Sequence, residues 1–355
     1  MEIERRLTKA SNLAVVEDQE LGFGNVFSDH MLVRDWTDGG WGRAMITPRE
    51  PISVEPSALG IHYGQSVFEG LKAYRGTQDG VIRLFRPNRN AARLEASSTR
   101  LCIPTLPAEE FIECIRQLVA TDSAWVPNER EHALYIRPMV FASEGHLSVR
   151  PAHRYKLVIT TAPVAPYFSS QSRALRLKAE NRFTRAAPGG TGAAKTSGNY
   201  APTLWPMVSA AKEGFDQILW LDAQEHTFAE EAGQMNIFFR IGDEVVTPEL
   251  SGTILPGVTR ESALRLLKDW GIKAATRRIS MEELTEASED GSLLEIFGAG
   301  TAAVIASVAS ISYLGKEISA APYSGRSLAE RLREELLGIQ YGERPDPHNW
   351  IQVVG

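Results

Sequence analysis

Apolar residues along the chain follow the period of a strand in some stretches and the period of a helix in others. A β-rich run at 80–85 precedes a helical pattern from Asn88 to Arg100, and the spacing over 107–121 predicts a second helix. The runs 134–137 and 155–160 are typical of strands. This alternation indicates that helices and strands pack together in a mixed α/β (α+β) fold.

The second half of the chain shows the same mixture. Strands are predicted at 217–221, 235–240, 244–247 and 293–297, and helices over 259–270 and through Leu328, Leu332 and Leu336. Ser280 followed by Glu283 predicts a capping box at the start of a short helix. Pro202 and Pro206 predict a distorted helix near residue 200.

A Pro- and Ser-rich segment at 162–172 fits neither period and marks a domain boundary. We therefore expect an N-terminal small α/β domain over residues 1–165, a linker that acts as a lid over 166–180, and a larger C-terminal α/β domain over 181–355. The length of 355 residues is enough for two domains that each bury a core.

Charge and cysteine content narrow the choice of partners and compartment. The net charge of -6 gives no overall positive field, so neither nucleic acid nor a membrane surface is an expected partner. Two cysteines, Cys102 and Cys114, are too few for a disulfide framework, and the N-terminus lacks the apolar core of a signal peptide. A cytoplasmic protein is expected; organellar import with removal of a transit peptide is the alternative.

The segment 187–200 surrounds Lys195 with small residues and carries the most distinctive chemistry. It nearly matches a phosphate-binding P-loop, but Ala194 stands where a glycine is expected and no clear strand leads into it. Glycine segments at 252–260 and 298–303 offer further backbone N–H groups to an anion. The alternatives are a nucleotide site, a plain surface loop, and a Schiff-base lysine beside a phosphate-bearing aldehyde. No metal site is expected, because the histidines show no ligand-like pairing.

Seven blocks in a fixed order decide between these alternatives. They are Ile61–Tyr74, Phe85–Leu94, Tyr135–Pro138, Gly192–Tyr200, Glu231–Phe238, Leu255–Arg260 and Gly300–Ala303. Together they resemble the branched-chain amino acid aminotransferases, which are fold-type IV enzymes that use pyridoxal 5'-phosphate. The resemblance runs from about residue 25 to the C-terminus. It implies a two-domain fold with the cofactor at the domain interface, and a homodimer.

The resemblance also implies a set of cofactor-binding residues. Lys195 would form the Schiff base and carry a proton, Tyr200 would bind the phenolic oxygen, and Glu231 would face the pyridine nitrogen. Glu230 is an alternative one residue away, but the spacing to Asn236 favours Glu231. The phosphate would be bound by Arg93, Gly257, Val258, Thr259, Gly300 and Thr301.

A second set of residues is implied for the substrate. The α-carboxylate would bind at Thr301, Ala302 and Ala303 and in front of Tyr135. The apolar pocket would contain Tyr63, Phe68 and Tyr167, with Leu147 and Val149 supplied by the partner subunit. Arg137 would bind the γ-carboxylate of glutamate, with support of Tyr135 or a core ion pair as its other roles.

The implied activity is ping-pong transamination between L-leucine, L-isoleucine or L-valine and 2-oxoglutarate. It would give branched-chain 2-oxo acids and L-glutamate. A D-amino acid or (R)-amine aminotransferase and an aminodeoxychorismate lyase are alternatives in the same fold. A P-loop-like nucleotide-binding protein and a non-catalytic cofactor-binding protein are the alternatives of another class.

Overall fold

The computed structural model describes residues 2–13, 21–37, 39–167, 174–322, 325 and 327–355. The chain forms two compact units. The first consists of Met1–Tyr167, Ala194–Gly198 and Leu337–Gly355, and the second of Phe168–Ala193 and Asn199–Leu336. Ala194–Gly198, named here the Lys195 segment, therefore groups with the first unit, whereas the sequence analysis assigns Lys195 to the C-terminal domain.

Elements of the first unit come mostly from the N-terminal half of the chain. The strands are β1 (Ile3–Arg5), β2 (His30–Thr37), β3 (Gly40–Trp41), β4 (Ala44–Pro48), β5 (Ser66–Phe68), β6 (Leu71–Arg75), β7 (Ile82–Phe85), β8 (Ala133–Ala142) and β9 (Tyr155–Val164). The α-helices are α1 (Leu59–His62), α2 (Pro87–Arg100) and α3 (Ala108–Thr121).

Elements of the second unit follow in the same chain order. The strands are β10 (Leu175–Glu180), β11 (Gln217–Leu221), β12 (Ala229–Ala232), β13 (Met235–Ile241), β14 (Glu244–Thr247), β15 (Lys273–Thr276), β16 (Leu293–Gly300), β17 (Val304–Tyr313) and β18 (Lys316–Ser319). The α-helices are α4 (Leu204–Lys212), α5 (Val258–Asp269) and α6 (Met281–Glu289). Helix α7 (Leu328–Gln340) then leads to β19 (Ile351–Val353), which returns to the first unit.

Each unit is organised around one large sheet. Within the described residues, the first sheet has ten strands with the order β1-β4-β2-β9-β8-β6-β7-β19, and β3 and β5 pair at its side with β2 and β8. The second has nine strands with the order β12-β11-β10-β17-β16-β13-β14-β15, and β18 pairs with β17. Most pairs are antiparallel, while β10 lies parallel to both β11 and β17. The expected mixture of α and β elements is confirmed.

Helix α3 shows how the sequence pattern produces the first core. Its buried residues Phe111, Cys114, Ile115, Leu118 and Val119 occupy one face, at the spacing that an amphipathic helix requires. They join the hydrophobic cluster that the inner faces of the strands form. The predicted helix over 107–121 is therefore confirmed to within one residue.

The linker predicted over 166–180 is wrong in its second part. Residues 175–180 form β10, which occupies an inner position of the second sheet. Leu175, Leu177 and Ala179 alternate with Arg176 and Lys178, and the apolar members are buried. This period of two is the signal that the sequence analysis overlooked. Residues 168–173 lie outside the described residues.

The two prolines after Tyr200 have different effects. Pro202 lies in a 3-10 turn at Ala201–Thr203, so the predicted distortion is present at the start of the helical segment. Pro206 is the third residue of α4, in the first turn, where backbone nitrogens have no intrahelical hydrogen-bond acceptor. The helix therefore tolerates this proline and continues to Lys212. Across the described ranges, no helix has the length and apolarity needed to cross a membrane.

The capping box predicted at Ser280 is confirmed, since Glu283 N donates a hydrogen bond to Ser280 Oγ over 3.0 Å. We expect Ser280→Ala to lower the free energy of unfolding by about 1 kcal/mol, because it removes the acceptor at the helix start. Ser280→Gly should cost only a few tenths of a kcal/mol. Urea unfolding of both variants measures the difference; equal losses would contradict the capping role.

Candidate active site

Hydrogen bonds to the first unit fix the Lys195 segment. Lys195 N donates to Ser97 Oγ on α2 over 2.9 Å, and Lys195 O accepts from Phe68 N over 3.0 Å. Thr196 Oγ1 donates to Ser66 O over 2.8 Å. A single antiparallel bridge between Val67 and Thr196 joins the segment to β5. These contacts explain why Lys195 groups with the first unit, against the expectation from the sequence.

The side chain of Lys195 lies among groups that favour its neutral form. Its Nζ is 4.8 Å from the centre of the Phe68 ring. Burial, together with the positive charge of Arg93, lowers the pKa of Lys195 from 10.5 to about 8. At pH 7 about a tenth of such an amine is unprotonated, which is far more than for a lysine with the ordinary pKa and favours nucleophilic and base chemistry.

Arg93 is held in a buried ion pair with Glu69, a residue that the sequence analysis missed. Arg93 Nε lies 2.7 Å from Glu69 Oε1, and Arg93 Nη2 donates to Glu69 Oε2 over 2.9 Å. Burial of Glu69 opposes its ionisation, but Arg93 and Asn90 outweigh that effect and the pKa of Glu69 is lowered overall. An acidic residue inside an apolar block was the available signal, because a buried carboxylate requires a partner.

Aromatic rings and one guanidinium form a pocket in the first unit. Arg137 Cζ lies 4.8 Å from the centre of the Phe68 ring, and Arg137 Nη2 donates to Tyr135 Oη over 3.1 Å. Phe23 packs edge-on against Tyr135 at 4.8 Å and Tyr167 at 5.1 Å between ring centres. Phe23, Tyr135 and Arg137 line a cavity of about 290 Å³. Phe23 was not predicted, since no motif distinguishes it from a core phenylalanine.

Tyr63, Leu147 and Val149 form a separate group, named here the exposed loop patch. The Tyr63 hydroxyl donates to the carbonyl of Leu147. The three residues are 43%, 72% and 80% exposed, respectively. A pocket role for Tyr63 in its own chain stays a prediction.

Glu231 lies in the second unit within an ordered network. Arg185 Nε is 2.7 Å from Glu231 Oε2, and Glu231 Oε1 accepts from Leu255 N over 3.1 Å and Asn236 Nδ2 over 3.2 Å. Glu231 is 4% exposed and pairs directly with Asn236 across β12 and β13. The spacing of five residues, which favoured Glu231 over Glu230, thus corresponds to a direct contact.

Asn236 also connects Glu231 to the start of α5. Its Nδ2 donates to Leu255 O over 3.0 Å, and a Cβ at Gly257 would overlap with Asn236 Oδ1. Gly257 is the N-cap of α5 and provides no capping side chain, so the N–H groups of Val258 and Thr259 head the helix. Backbone donors at a helix start favour an anion such as a phosphate group.

The turn after β16 lies near this network in the second unit. Gly300 pairs with Val304, and residues Thr301, Ala302 and Ala303 form the turn between β16 and β17. Ala299 pairs with Asn236 of β13. The structure therefore places Glu231, the residues before α5 and the end of β16 around Asn236.

Tyr200 precedes the 3-10 turn, and its carbonyl accepts hydrogen bonds from Thr203 N and Oγ1. These contacts fix its backbone. Its role toward a cofactor stays a prediction, as do the individual roles of the other site residues.

Comparison with known proteins agrees with this architecture. Residues 66–311 match the family described as amino-transferase class IV. The chain is 45% identical to branched-chain-amino-acid aminotransferase 2 of Bacillus subtilis, covering 95% of this chain and 93% of the relative. It is 46% identical to the branched-chain-amino-acid aminotransferase of Mycobacterium tuberculosis, with the same coverage. The solved structure of the T.th. branched-chain amino acid aminotransferase with pyridoxamine 5'-phosphate is similar with a TM-score of 0.73, 26% identity, and coverage of 95% and 99%.

The chain belongs to the class IV aminotransferases, and the curated relatives that it matches are branched-chain enzymes. The fold-type IV architecture expected from the seven blocks is confirmed. The P-loop hypothesis is wrong: residues 66–311 match the class IV aminotransferases, and Ser197–Asn199 after Lys195 form a 3-10 turn, not the start of an α-helix.

The Glu69–Arg93 pair generates a prediction on stability. Glu69→Gln leaves the buried guanidinium of Arg93 without the negative charge of Glu69, so the free energy of unfolding should fall by about 3 kcal/mol. Glu95→Gln removes an exposed charge from the same helix and should change it by less than about 0.5 kcal/mol. Chemical denaturation measures both. Equal effects of the two variants would contradict a buried ion pair.

The lowered pKa of Lys195 makes stability depend on pH in a defined direction. Between pH 8 and 10.5 the unfolded chain binds more protons at this lysine than the folded chain, so the wild type gains stability as the pH rises. We expect Lys195→Met, without added cofactor, to be more stable than the wild type at pH 7. The advantage should disappear toward pH 10.5, as followed by thermal unfolding. An advantage that is constant with pH would disprove the shift.

Proposed function

We propose that this protein transfers the amino group of L-leucine, L-isoleucine or L-valine to 2-oxoglutarate, giving branched-chain 2-oxo acids and L-glutamate. The two half-reactions alternate at one site. The observation that carries this proposal is Lys195, a lysine with a pKa of about 8 beside Phe68 and Arg93 in a class IV aminotransferase. The relatives with 45% and 46% identity are branched-chain enzymes, which favours these donors over D-amino acids or amines.

The residues fit pyridoxal 5'-phosphate in three respects. A partly neutral lysine suits the aldehyde, the start of α5 and Arg93 suit the phosphate, and an ionised Glu231 suits a protonated ring nitrogen. The similar T.th. protein was solved with pyridoxamine 5'-phosphate. When bound, the cofactor withdraws electrons from the substrate Cα and carries the amino group between the half-reactions.

Lys195 would have two roles. Its neutral amine would hold the aldehyde carbon of the cofactor and, when not bound to it, would accept and return the proton of the substrate Cα. Burial beside Phe68 limits access of water to this amine. Glu69 holds Arg93 in place through the buried ion pair, while its own negative charge acts against the lowering of the Lys195 pKa.

Residues of the second unit would bind the ring and the phosphate. Glu231, which pairs with Arg185 at 2.7 Å, would hold a proton on the pyridine nitrogen. The N–H groups of Val258 and Thr259, with Thr301, would donate to phosphate oxygens. Tyr200 would donate to the phenolic oxygen.

The aromatic pocket suits an aliphatic side chain. Phe23, Phe68, Tyr135 and Tyr167 supply apolar surface, and each buried methylene of the substrate contributes about 0.8 kcal/mol. Arg137 is the cation in this pocket that could pair with the γ-carboxylate of glutamate. The turn residues Thr301, Ala302 and Ala303 would bind the α-carboxylate.

We further propose a homodimer that forms through the exposed loop patch. Leu147 and Val149 are large apolar side chains that a monomer would leave in water. In the dimer these residues would reach the substrate pocket of the partner subunit. Both cysteines are free, with Cys114 buried and Cys102 exposed, which suits a reducing compartment such as the cytoplasm.

The absorption spectrum of the cofactor tests the activity. Pyridoxal phosphate added to the protein should produce a near-visible band that L-leucine bleaches and 2-oxoglutarate restores. Lys195→Ala should fail to cycle, losing at least about a thousandfold in rate because it removes both the nucleophile and the proton carrier. Lys212→Ala, an exposed lysine on α4, is the matched control.

Three outcomes of this experiment have separate meanings. A band that ignores leucine but responds to D-alanine would retain the cofactor and overturn the substrate. A band that no amine donor changes would indicate a non-catalytic cofactor-binding protein. No band at all would overturn the cofactor assignment.

The dimer has its own test. Leu147→Asp should shift the protein toward the monomer in analytical ultracentrifugation and reduce kcat/KM for leucine about tenfold or more, since a charge cannot be buried in an apolar contact. Leu314→Asp, which replaces a similarly exposed leucine in the second unit, is the control. An unchanged sedimentation coefficient for Leu147→Asp would contradict this interface.

A further inference from the structure

Glu230 is a buried carboxyl group to which the proposed function gives no role. It precedes Glu231 on β12, and neighbouring side chains of a strand point to opposite faces. Glu230 is 6% exposed, its Oε1 accepts from Thr253 Oγ1, and its Oε2 has no hydrogen-bond partner among the described residues. A carboxylate with a single neutral donor in such a place is unfavourable, so the neutral acid is preferred.

The charged groups around Glu230 are engaged elsewhere. Arg185 pairs with Glu231 at 2.7 Å, and Arg278 lies 4.0 Å from Asp222 with its guanidinium over the Phe228 ring. Burial raises the pKa of Glu230 from 4.5 to about 7, and the negative charges of Glu231 and Asp222 act in the same direction. Thr253 and Arg185 oppose the shift without cancelling it.

Three contacts connect Glu230 to Glu231 through neighbouring groups. The Thr253 hydroxyl donates to Glu230, the Thr253 carbonyl accepts from Arg185 Nη2, and Arg185 Nε pairs with Glu231. The backbone of Thr253 packs closely against Gly192, where an added Cβ would overlap with the Thr253 carbonyl oxygen. A change at Glu230 therefore reaches Arg185 and then Glu231.

A cavity beside Glu230 gives its proton a route to solvent. The cavity has a volume of about 220 Å³, and Glu230, Asp222, Thr253, Glu249 and Arg278 are among its lining residues. It lies in the second unit and contains none of the residues proposed to bind the cofactor. Glu230 is thus buried, yet able to exchange its proton.

We propose that Glu230 is a positioning residue for Glu231 that acts through Thr253 and Arg185, and that it does so as a neutral acid. The proposal rests on the proposed function, in which Glu231 faces the cofactor ring. When Glu230 is neutral, the positive charge of Arg185 pairs with the carboxylate of Glu231 alone. Ionised Glu230 adds a second buried negative charge beside this pair and competes for Arg185, so a negatively charged cofactor binds less tightly.

Thermal unfolding of the full chain without added cofactor tests the protonation of Glu230. Glu230→Gln retains an oxygen for Thr253 and cannot ionise. Because folding raises the pKa of Glu230, the folded protein binds more protons than the unfolded chain between pH 4.5 and 7. The wild type should therefore lose stability relative to Glu230→Gln across that window, and the difference should stay constant above it.

Glu249→Gln, an exposed residue on the rim of the same cavity, is the matched control and should follow the wild type. A difference between the wild type and Glu230→Gln that does not change with pH would show that Glu230 does not titrate there. That result would overturn the proposal.

A double-mutant cycle in the same protein tests the link to Glu231. Glu230→Leu and Glu231→Gln should have strongly non-additive effects on unfolding, because the two residues share Arg185. Where Glu230→Leu does not fold, Thr253→Val breaks the same link and takes its place. Additive effects would overturn the positioning role.

Cofactor binding provides the third measurement. The dissociation constant for pyridoxal phosphate is measured from its absorption band at pH 6 and at pH 8.5. The ratio of the two constants should be at least threefold larger for the wild type than for Glu230→Gln. Parallel pH dependences would contradict the proposal. If no variant binds the cofactor, the proposed function fails, while the unfolding experiments still decide the role of Glu230.

Discussion

The ion pair between Glu69 and Arg93 is the interaction on which the first unit's chemistry depends. A lysine that must lose its proton near neutral pH needs burial and a nearby positive charge. Arg93 supplies that charge, but a guanidinium this deeply buried needs a carboxylate of its own, which Glu69 provides. The lowered pKa of Lys195 thus depends on burial and on Arg93, whose own burial depends on Glu69, although the charge of Glu69 acts on that pKa in the opposite direction.

The second unit also contains an arginine paired with a buried carboxylate, namely Arg185 with Glu231. Arg185 Nε lies 2.7 Å from Glu231 Oε2, and Asn236 fixes the carboxylate relative to the start of α5. Glu230, adjacent in sequence, has no arginine at that distance among the described residues, and burial raises its pKa to about 7. The two neighbouring glutamates of β12 therefore lie in different electrostatic environments.

Local patterns predicted most of the α-helices and seven of the nineteen described strands, namely those whose causes are local. The buried face of α3, the cap at Ser280 and strands such as β14 follow from periodicity and side-chain type alone. β10 was overlooked because the Pro- and Ser-rich stretch before it suggested a longer linker than the structure contains.

The candidate site residues were predicted from the order of seven sequence blocks. The residues and contacts that this prediction did not include were missed for physical reasons. The place of Lys195 in the first unit depends on hydrogen bonds with Ser97 and Phe68, which no pattern of sequence reveals. Phe23 resembles any core phenylalanine until its ring is seen against Tyr135 and Tyr167. Glu69 lay inside a quoted block, but its partner is 24 residues away along the chain.

The path of the chain limits how this enzyme can be divided. The first unit is completed by two segments that come later in the chain: the Lys195 segment, which interrupts the second unit, and residues 337–355, which follow it. A fragment ending near residue 167 would lack Lys195 and would expose the edge of β7 that β19 covers. Neither unit can therefore be cut out of the chain as one continuous segment. A truncated or divided version of this enzyme would lack part of at least one unit.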